Sequence, residues 1–252
     1  MSIETAFILR AVNYKESDRI LTLYTRSKGK ISAIAKGARK STKRFGGALQ
    51  PFTVFETTIT KTRRGSGNMF VVSDAALIHD NNGLSRDLTR LGVAGFLMEL
   101  IREAAPEHEA SEPLFDLGVT ALRILSDDHA CLPRHLALAA GMRILAQCGL
   151  AMSVGHCTAC GRDVPPGKSV YFDALRGGVV CTPCGGGPLL LDGDAAAALL
   201  YLAQHPVESA AQYPIAAPVL EELESAFDTY VHVHLEKQLK TSLYLMQLAG
   251  KK

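Results

Sequence analysis

The sequence predicts an α+β chain of two domains: a five-stranded β-barrel over residues 1–80, then a helical domain over residues 81–252 with a four-cysteine insert at about 150–190. Three observations lead there. Strand-type runs fill the first 80 residues, helical periodicity replaces them after Asn81, Asn82 and Gly83, and two closely spaced cysteine pairs interrupt the helical half.

Residues 5–12, 20–25, 30–36, 52–62 and 69–77 are rich in β-branched and aliphatic side chains. The third run alternates clearly, with Ile31, Ala33 and Ala35 on one face and Lys30, Ser32 and Lys36 leaning to the other. Glycines at 29, 46, 47, 65 and 67 punctuate the turns. Five short strands in a small module fit a barrel such as the OB-fold. An SH3-like barrel gives nearly the same pattern.

From Leu84 the period is helical, through Leu88, Leu91, Gly95 and Met98. Ser111 is placed to cap a second helix through Leu114, Leu117, Ala121 and Leu125. A third spans residues 133–148, with Gly149 suited to end it. Asp194 opens an alanine-rich helix, and Pro218 stands near the start of a long final one bearing Leu220, Leu223, Phe227, Tyr230 and Val231. These are bundle ingredients, and their apolar stripes belong to a core.

Charge separates the two halves. Residues 1–80 hold 14 Lys+Arg against 6 Asp+Glu, a net of +8, whereas the rest hold 13 against 19, a net of −6. One module is therefore suited to a polyanion and the other is not. No apolar run approaches the length of a membrane span, and Met1, Ser2, Ile3 and Glu4 do not open a secretory signal. A cytoplasmic location is expected, where paired cysteines favour metal over disulfide.

Cys157 and Cys160, then Cys181 and Cys184, form two C-x-x-C pairs separated by twenty residues. Two residues between cysteines let both sulfurs of one turn reach a tetrahedral ion, and two such knuckles complete a zinc site. Gly161 and Gly185 follow each pair, where a tight turn favours positive φ. Four thiolates leave no open position for water, so one structural Zn2+ is expected. Cys131 and Cys148 show no ligand spacing and read as small buried hydrophobes, and His156 is an unneeded substitute ligand. His232 and His234, two apart on a helix, face different ways.

Catalytic machinery is not visible. Gly167, Lys168 and Ser169 resemble the end of a phosphate-binding loop, yet Arg162 stands where the first glycine is required. His234 and Glu236 follow all the cysteines, so the zinc deaminase order is absent.

The densest positive stretch contains Lys36, Arg39, Lys40, Lys43 and Arg44, between the third and fourth strand runs. Lys61, Arg63 and Arg64 form a second cluster, and Lys28 and Lys30 a third. Clusters at loop ends of one barrel suit a groove for a phosphate backbone. Tyr24 and Phe45 are candidates for stacking on bases, and Phe45 is equally suited to plug the barrel end. Sparse aromatics point to backbone contact with little sequence readout.

Tyr14-Lys15-Glu16-Ser17-Asp18-Arg19, Leu23-Tyr24-Thr25, the run from Gly29 to Arg39 and the run from Phe45 to Phe52 together resemble the N-terminal half of the DNA repair protein RecO family. The four-cysteine insert and Leu239-Lys240-Thr241-Ser242 extend the likeness along the chain. The last segment departs from the family's pattern, which has an arginine after the serine where this chain has Leu243. The resemblance implies an OB-fold joined to a helical, zinc-bearing domain. It further implies binding to single- and double-stranded DNA, strand annealing, and partnership with RecR and single-strand-binding protein, so that RecA loads on gaps.

The expected function is a non-enzymatic recombination mediator with no membrane or small-molecule substrate. Lys237 and Lys240 are expected at the rim of a groove beside the last helix, holding the single-strand-binding protein's tail. An RNA-binding or transcription-associated zinc protein is the alternative, and a zinc-dependent nucleic-acid hydrolase comes third.

Overall fold

The computed structural model describes residues 1–62, 69–127, 132–165 and 167–249. It divides into two compact units, Met1–Ser126 and Asp127–Lys252.

In the first unit, β1 (Ser2–Tyr14), β2 (Asp18–Thr25), β3 (Gly29–Ala35), β4 (Val54–Lys61) and β5 (Phe70–His79) close a barrel in the order β1-β2-β3-β5-β4. A parallel β3–β5 pair and an antiparallel β1–β4 pair complete the closure. This is the OB-fold arrangement, so strand order decides between the two barrel types the sequence left open. Alternation works as expected: Ala6, Ile8, Leu21, Leu23, Ile31, Ala33, Ala35, Phe55, Ile59 and Val72 fill the interior. The one-turn α1 (Thr42–Phe45) follows β3, and its Phe45 joins this core as the plug of the barrel rather than an exposed stacking ring.

Residues 81–126 group with the barrel, which extends its compact unit beyond residue 80. A short 3-10 turn (Asn82–Arg86) interrupts the periodicity that begins at Leu84. Asp87 then caps α2 (Leu88–Ala104), accepting the Thr89 and Arg90 amide protons at 2.7 and 2.9 Å. Ser111 accepts the Leu114 amide proton at 3.3 Å and so starts α3 (Glu112–Ser126) as expected. The outer face of the barrel is apolar at Phe7, whose ring lies 5.4 Å from Phe115 of α3. Gly118 makes room there, since a Cβ at that position would stand 2.7 Å from the Phe7 ring.

In the second unit, α4 (Pro133–Gln147) is buried on nearly every side, and Gly149 at φ +79° follows its end. A three-stranded antiparallel sheet, β6 (Val170–Asp173), β7 (Gly178–Cys181) and β8 (Leu189–Leu191), has the order β7-β6-β8. Its strands are too short, in a glycine-rich stretch, to show periodicity. The helices α5 (Gly193–Gln204), α6 (Val207–Ala210), α7 (Ala217–Leu235) and α8 (Lys240–Ala249) follow. Asp192 caps α5 by accepting the Ala195 amide proton at 2.8 Å, so the cap lies two residues before Asp194. The long helix after Pro218 is not the last. Glu236 takes φ +52° and ends α7, and buried Leu239 leads into α8. Leu220, Leu223, Phe227, Tyr230 and Val231 are all core, and Arg134 of α4 grips Glu224 of α7 through Nε–Oε1 at 2.7 Å.

Candidate nucleic-acid interface and metal centre

The four cysteines converge. The Sγ atoms of Cys157, Cys160, Cys181 and Cys184 all lie within 4.8 Å of one another, with Cys160 and Cys181 at 3.8 Å. Metal–sulfur bonds of about 2.3 Å in a tetrahedron put neighbouring sulfurs about 3.8 Å apart, so the donor set fits such an ion. Two knuckles supply it. The Gly161 amide donates to the Cys157 carbonyl at 2.8 Å, the Gly185 amide donates to the Thr182 carbonyl at 3.1 Å, and both glycines take positive φ, +71° and +66°. β7 delivers Cys181 beside the first knuckle, where its amide donates to the Cys157 sulfur at 3.3 Å.

The electrostatics favour a cation among these sulfurs. Burial pushes the Cys157 thiol up, but the amide donors of Cys181, Cys160 and Ala159 outweigh it and bring it down to about 6. Cys184 is pushed up to about 12, chiefly because Cys160 and Cys181 hydrogen-bond it as a thiol. Cys157 is thus inclined to the thiolate while Cys184 is held as a thiol beside its neighbours, and a bound divalent ion would let every sulfur of the set carry charge.

Arg162 adds a positive charge that the spacing pattern does not reveal. Its Nε donates to Cys160 Sγ at 3.4 Å. His156 faces Asp163 instead of the sulfurs, at 3.0 Å, and His234 Nε2 lies 2.9 Å from the Ala174 carbonyl oxygen. Cys148 is only half-buried, which corrects its reading as a buried hydrophobe, and Cys131 lies outside the described residues. Gly167, Lys168 and Ser169 lead into strand β6 rather than a helix, so no phosphate loop forms.

On the barrel, Lys36, Arg39, Lys40, Lys43 and Arg44 are all exposed along the connection from β3 to β4. Arg39 donates through Nη1 to the Glu16 carbonyl at 3.2 Å, and Arg44 through Nη2 to the Lys36 carbonyl at 2.8 Å. Main-chain acceptors shape the segment without neutralising it. Lys61 is exposed at the end of β4, opposite Phe70 of β5, which in turn sits beside Ala33 of β3. Arg63 and Arg64 lie outside the described residues.

Three sequence candidates sit differently. Tyr24 is 1% exposed: it is the cross-strand partner of Phe7, their rings stacked at 5.7 Å, and cannot present a face to a base. It points out of the barrel, but that face is covered within the unit. Lys28 pairs with the buried Glu4 carboxylate at 3.2 Å, and Lys30 donates to the Arg102 carbonyl at 2.6 Å. Both are therefore drawn into the packing of their unit, away from a free phosphate groove. In the other unit, Lys237 and Lys240 are exposed, in the α7–α8 link and at the start of α8.

Known proteins are similar along nearly the whole chain. The model for the N-terminal part of recombination protein O matches residues 1–80, and that for its C-terminal part matches residues 85–243. DNA repair protein RecO of Anaeromyxobacter dehalogenans (strain 2CP-C) is 37% identical over 97% of this chain and 95% of its own length. The RecO proteins of Myxococcus xanthus (strain DK1622) and a Nocardioides species (strain JS614) are 32% and 33% identical, over 97% and 96% of this chain and 97% and 98% of their own lengths. With a closed five-stranded barrel, a clustered four-cysteine module and likeness along nearly its whole length, the chain belongs to the RecO family of DNA repair and recombination proteins.

Proposed function

We propose that this protein binds single- and double-stranded DNA through the basic β3–β4 connection, anneals complementary strands, and helps load RecA where single-strand-binding protein covers the DNA. The observation that carries this reading is the run Lys36, Arg39, Lys40, Lys43 and Arg44, exposed together and braced through main-chain carbonyls. Lys61 extends it, and Arg63 and Arg64 belong to the same proposed surface by sequence. Two polyanionic strands repel, and a surface of fixed cations lowers that repulsion without turnover. No chemical step is assigned to the protein.

One structural zinc at Cys157, Cys160, Cys181 and Cys184 is part of the proposal, because four sulfur donors suit that ion best. The partners are RecR and single-strand-binding protein. For the latter's tail we place the rim at Lys237 and Lys240, where Leu243 and Tyr244 of α8 are 48% and 40% exposed and offer apolar contact.

A titration of labelled single-stranded DNA at several salt concentrations tests the core of this reading. Charge reversal at Arg39, Lys40, Lys43 and Arg44 together should weaken single strands and duplexes alike. Every phosphate that the variant no longer neutralises should flatten the log–log salt slope by about 0.7 to 0.9. An unchanged slope in a folded variant assigns the segment a merely solubilising role. Tighter binding to RNA of the same sequence favours the RNA-binding alternative.

A further inference from the structure

The register of the β1–β2 pair shifts between Ile8 and Arg10, and from there β1 runs out to the hairpin turn. The last five residues of β1 are exposed without alternation, so both faces of this strand end meet solvent, while the paired Asp18, Arg19 and Ile20 of β2 are half-buried. Val12 and Tyr14 pair with Ile20 and Asp18, and residues directly opposite in an antiparallel pair share a face. The Tyr14 ring and the Asp18 carboxylate therefore project from the same side.

That side is where the basic segment begins. Asp18 Oδ1 accepts the Gly37 amide proton at 2.8 Å, the Arg39 amide donates to the Ser17 carbonyl at 2.9 Å, and Arg39 Nη1 reaches the Glu16 carbonyl. Hairpin tip and basic segment are thus one braced structure. Tyr14 is 41% exposed within it, and the Lys15 ammonium lies 5.4 Å from its ring centroid.

Resting on the proposed DNA binding, we infer that Tyr14 is the stacking platform for a base of single-stranded DNA, while Lys15 and the adjoining basic segment hold the flanking phosphates. A tyrosine ring offers an apolar face to any base, and bases of a duplex are already stacked on each other. The Lys15 ammonium at the ring and the charge of the adjoining basic segment select a polyanion over a neutral apolar partner. The aromatic contact that Tyr24 cannot make is thereby supplied from the hairpin.

Full-length Tyr14→Ala and Tyr14→Trp are compared with the parent chain on oligothymidylate, an abasic oligomer and a duplex of equal length. Tyr14→Ala should weaken oligothymidylate binding roughly 5- to 100-fold, with the duplex and abasic affinities within about twofold of the parent. Its salt slope should match the parent's, because no charge is removed. Tyr14→Trp should restore the single-strand affinity. Unchanged oligothymidylate binding overturns the inference alone, as does an equal loss on all three ligands. Failure of the parent chain to bind any DNA overturns the proposed function itself.

Discussion

The Asp18 carboxylate accepts the Gly37 amide proton at 2.8 Å and so fastens the β1–β2 hairpin to the start of the basic connection. The Gly37 amide holds the Asp18 carboxyl below its ordinary 3.8, helped by the Ser17 hydroxyl and by Lys15 and Lys36 against a partial burial cost. A carboxyl with a depressed folded pKa contributes fully above its unfolded value, and the contribution is lost as pH falls through the lower folded one.

Asp18→Ala should therefore loosen the connection without removing any cation. Ordering the freed segment on binding should cost about two- to tenfold in DNA affinity. The parent-to-variant ratio should be flat between about pH 8 and 5, because the carboxylate stays ionised throughout. Anisotropy titrations across that range check it, and a ratio that collapses near neutral pH would point to another group.

Purified without chelators, the protein should hold one zinc per chain by elemental analysis. Structural sites of this kind supply on the order of 10 kcal/mol of metal-coupled folding energy. Cys160→Ser should then release the metal and disorder the β6–β8 module, read as reduced hydrogen-exchange protection. Arg162→Gln should keep the metal at equilibrium but release it faster to a chelator, since it removes the Nε donor to Cys160.

His135 is 6% exposed in α4, and neither ring nitrogen has a hydrogen-bond partner among the described residues. Burial, then the neighbouring Arg134 charge, lowers its pKa, so the folded protein keeps it neutral. The unfolded chain takes up a proton below about 6.5, so stability should decline as pH falls from there. His135→Leu should remove that decline and raise the unfolding free energy by about 1 kcal/mol at acid pH, because an unpaired polar group leaves the core. Urea unfolding at several pH values measures both, and a steeper acid decline in the variant contradicts the assignment.

A fragment of residues 1–126 should unfold cooperatively, whereas one cut at residue 80 should lose stability and expose apolar surface. The cut at 80 strips Phe115 and Gly118 from the Phe7 ring. Phe7→Ala in the longer fragment should cost about 3–5 kcal/mol, within the range for a buried aromatic. Circular-dichroism melts and dye binding distinguish the fragments, and equal stability would mean that α2 and α3 contribute nothing to the barrel.

Much of this was legible in the sequence by itself. The two-residue alternation of Ile31, Ala33 and Ala35 reports which side of a strand turns inward, and the cysteine spacing carries its own geometry. The exposed cations of the β3–β4 connection are equally local, since charge at that density is not buried. What only the tertiary structure decided is what covers each outward face. Tyr24 points out of the barrel, yet it lies stacked on Phe7 beneath the rest of its unit. Lys28 and Lys30 stand at a strand turn as Lys43 and Arg44 stand in a connection, but the buried Glu4 carboxylate and the Arg102 carbonyl claim the first two. Asp18 acquires its role from Gly37, nineteen residues away. Periodicity is a property of neighbours along the chain, whereas burial, ion pairing and bracing depend on segments that meet only after folding.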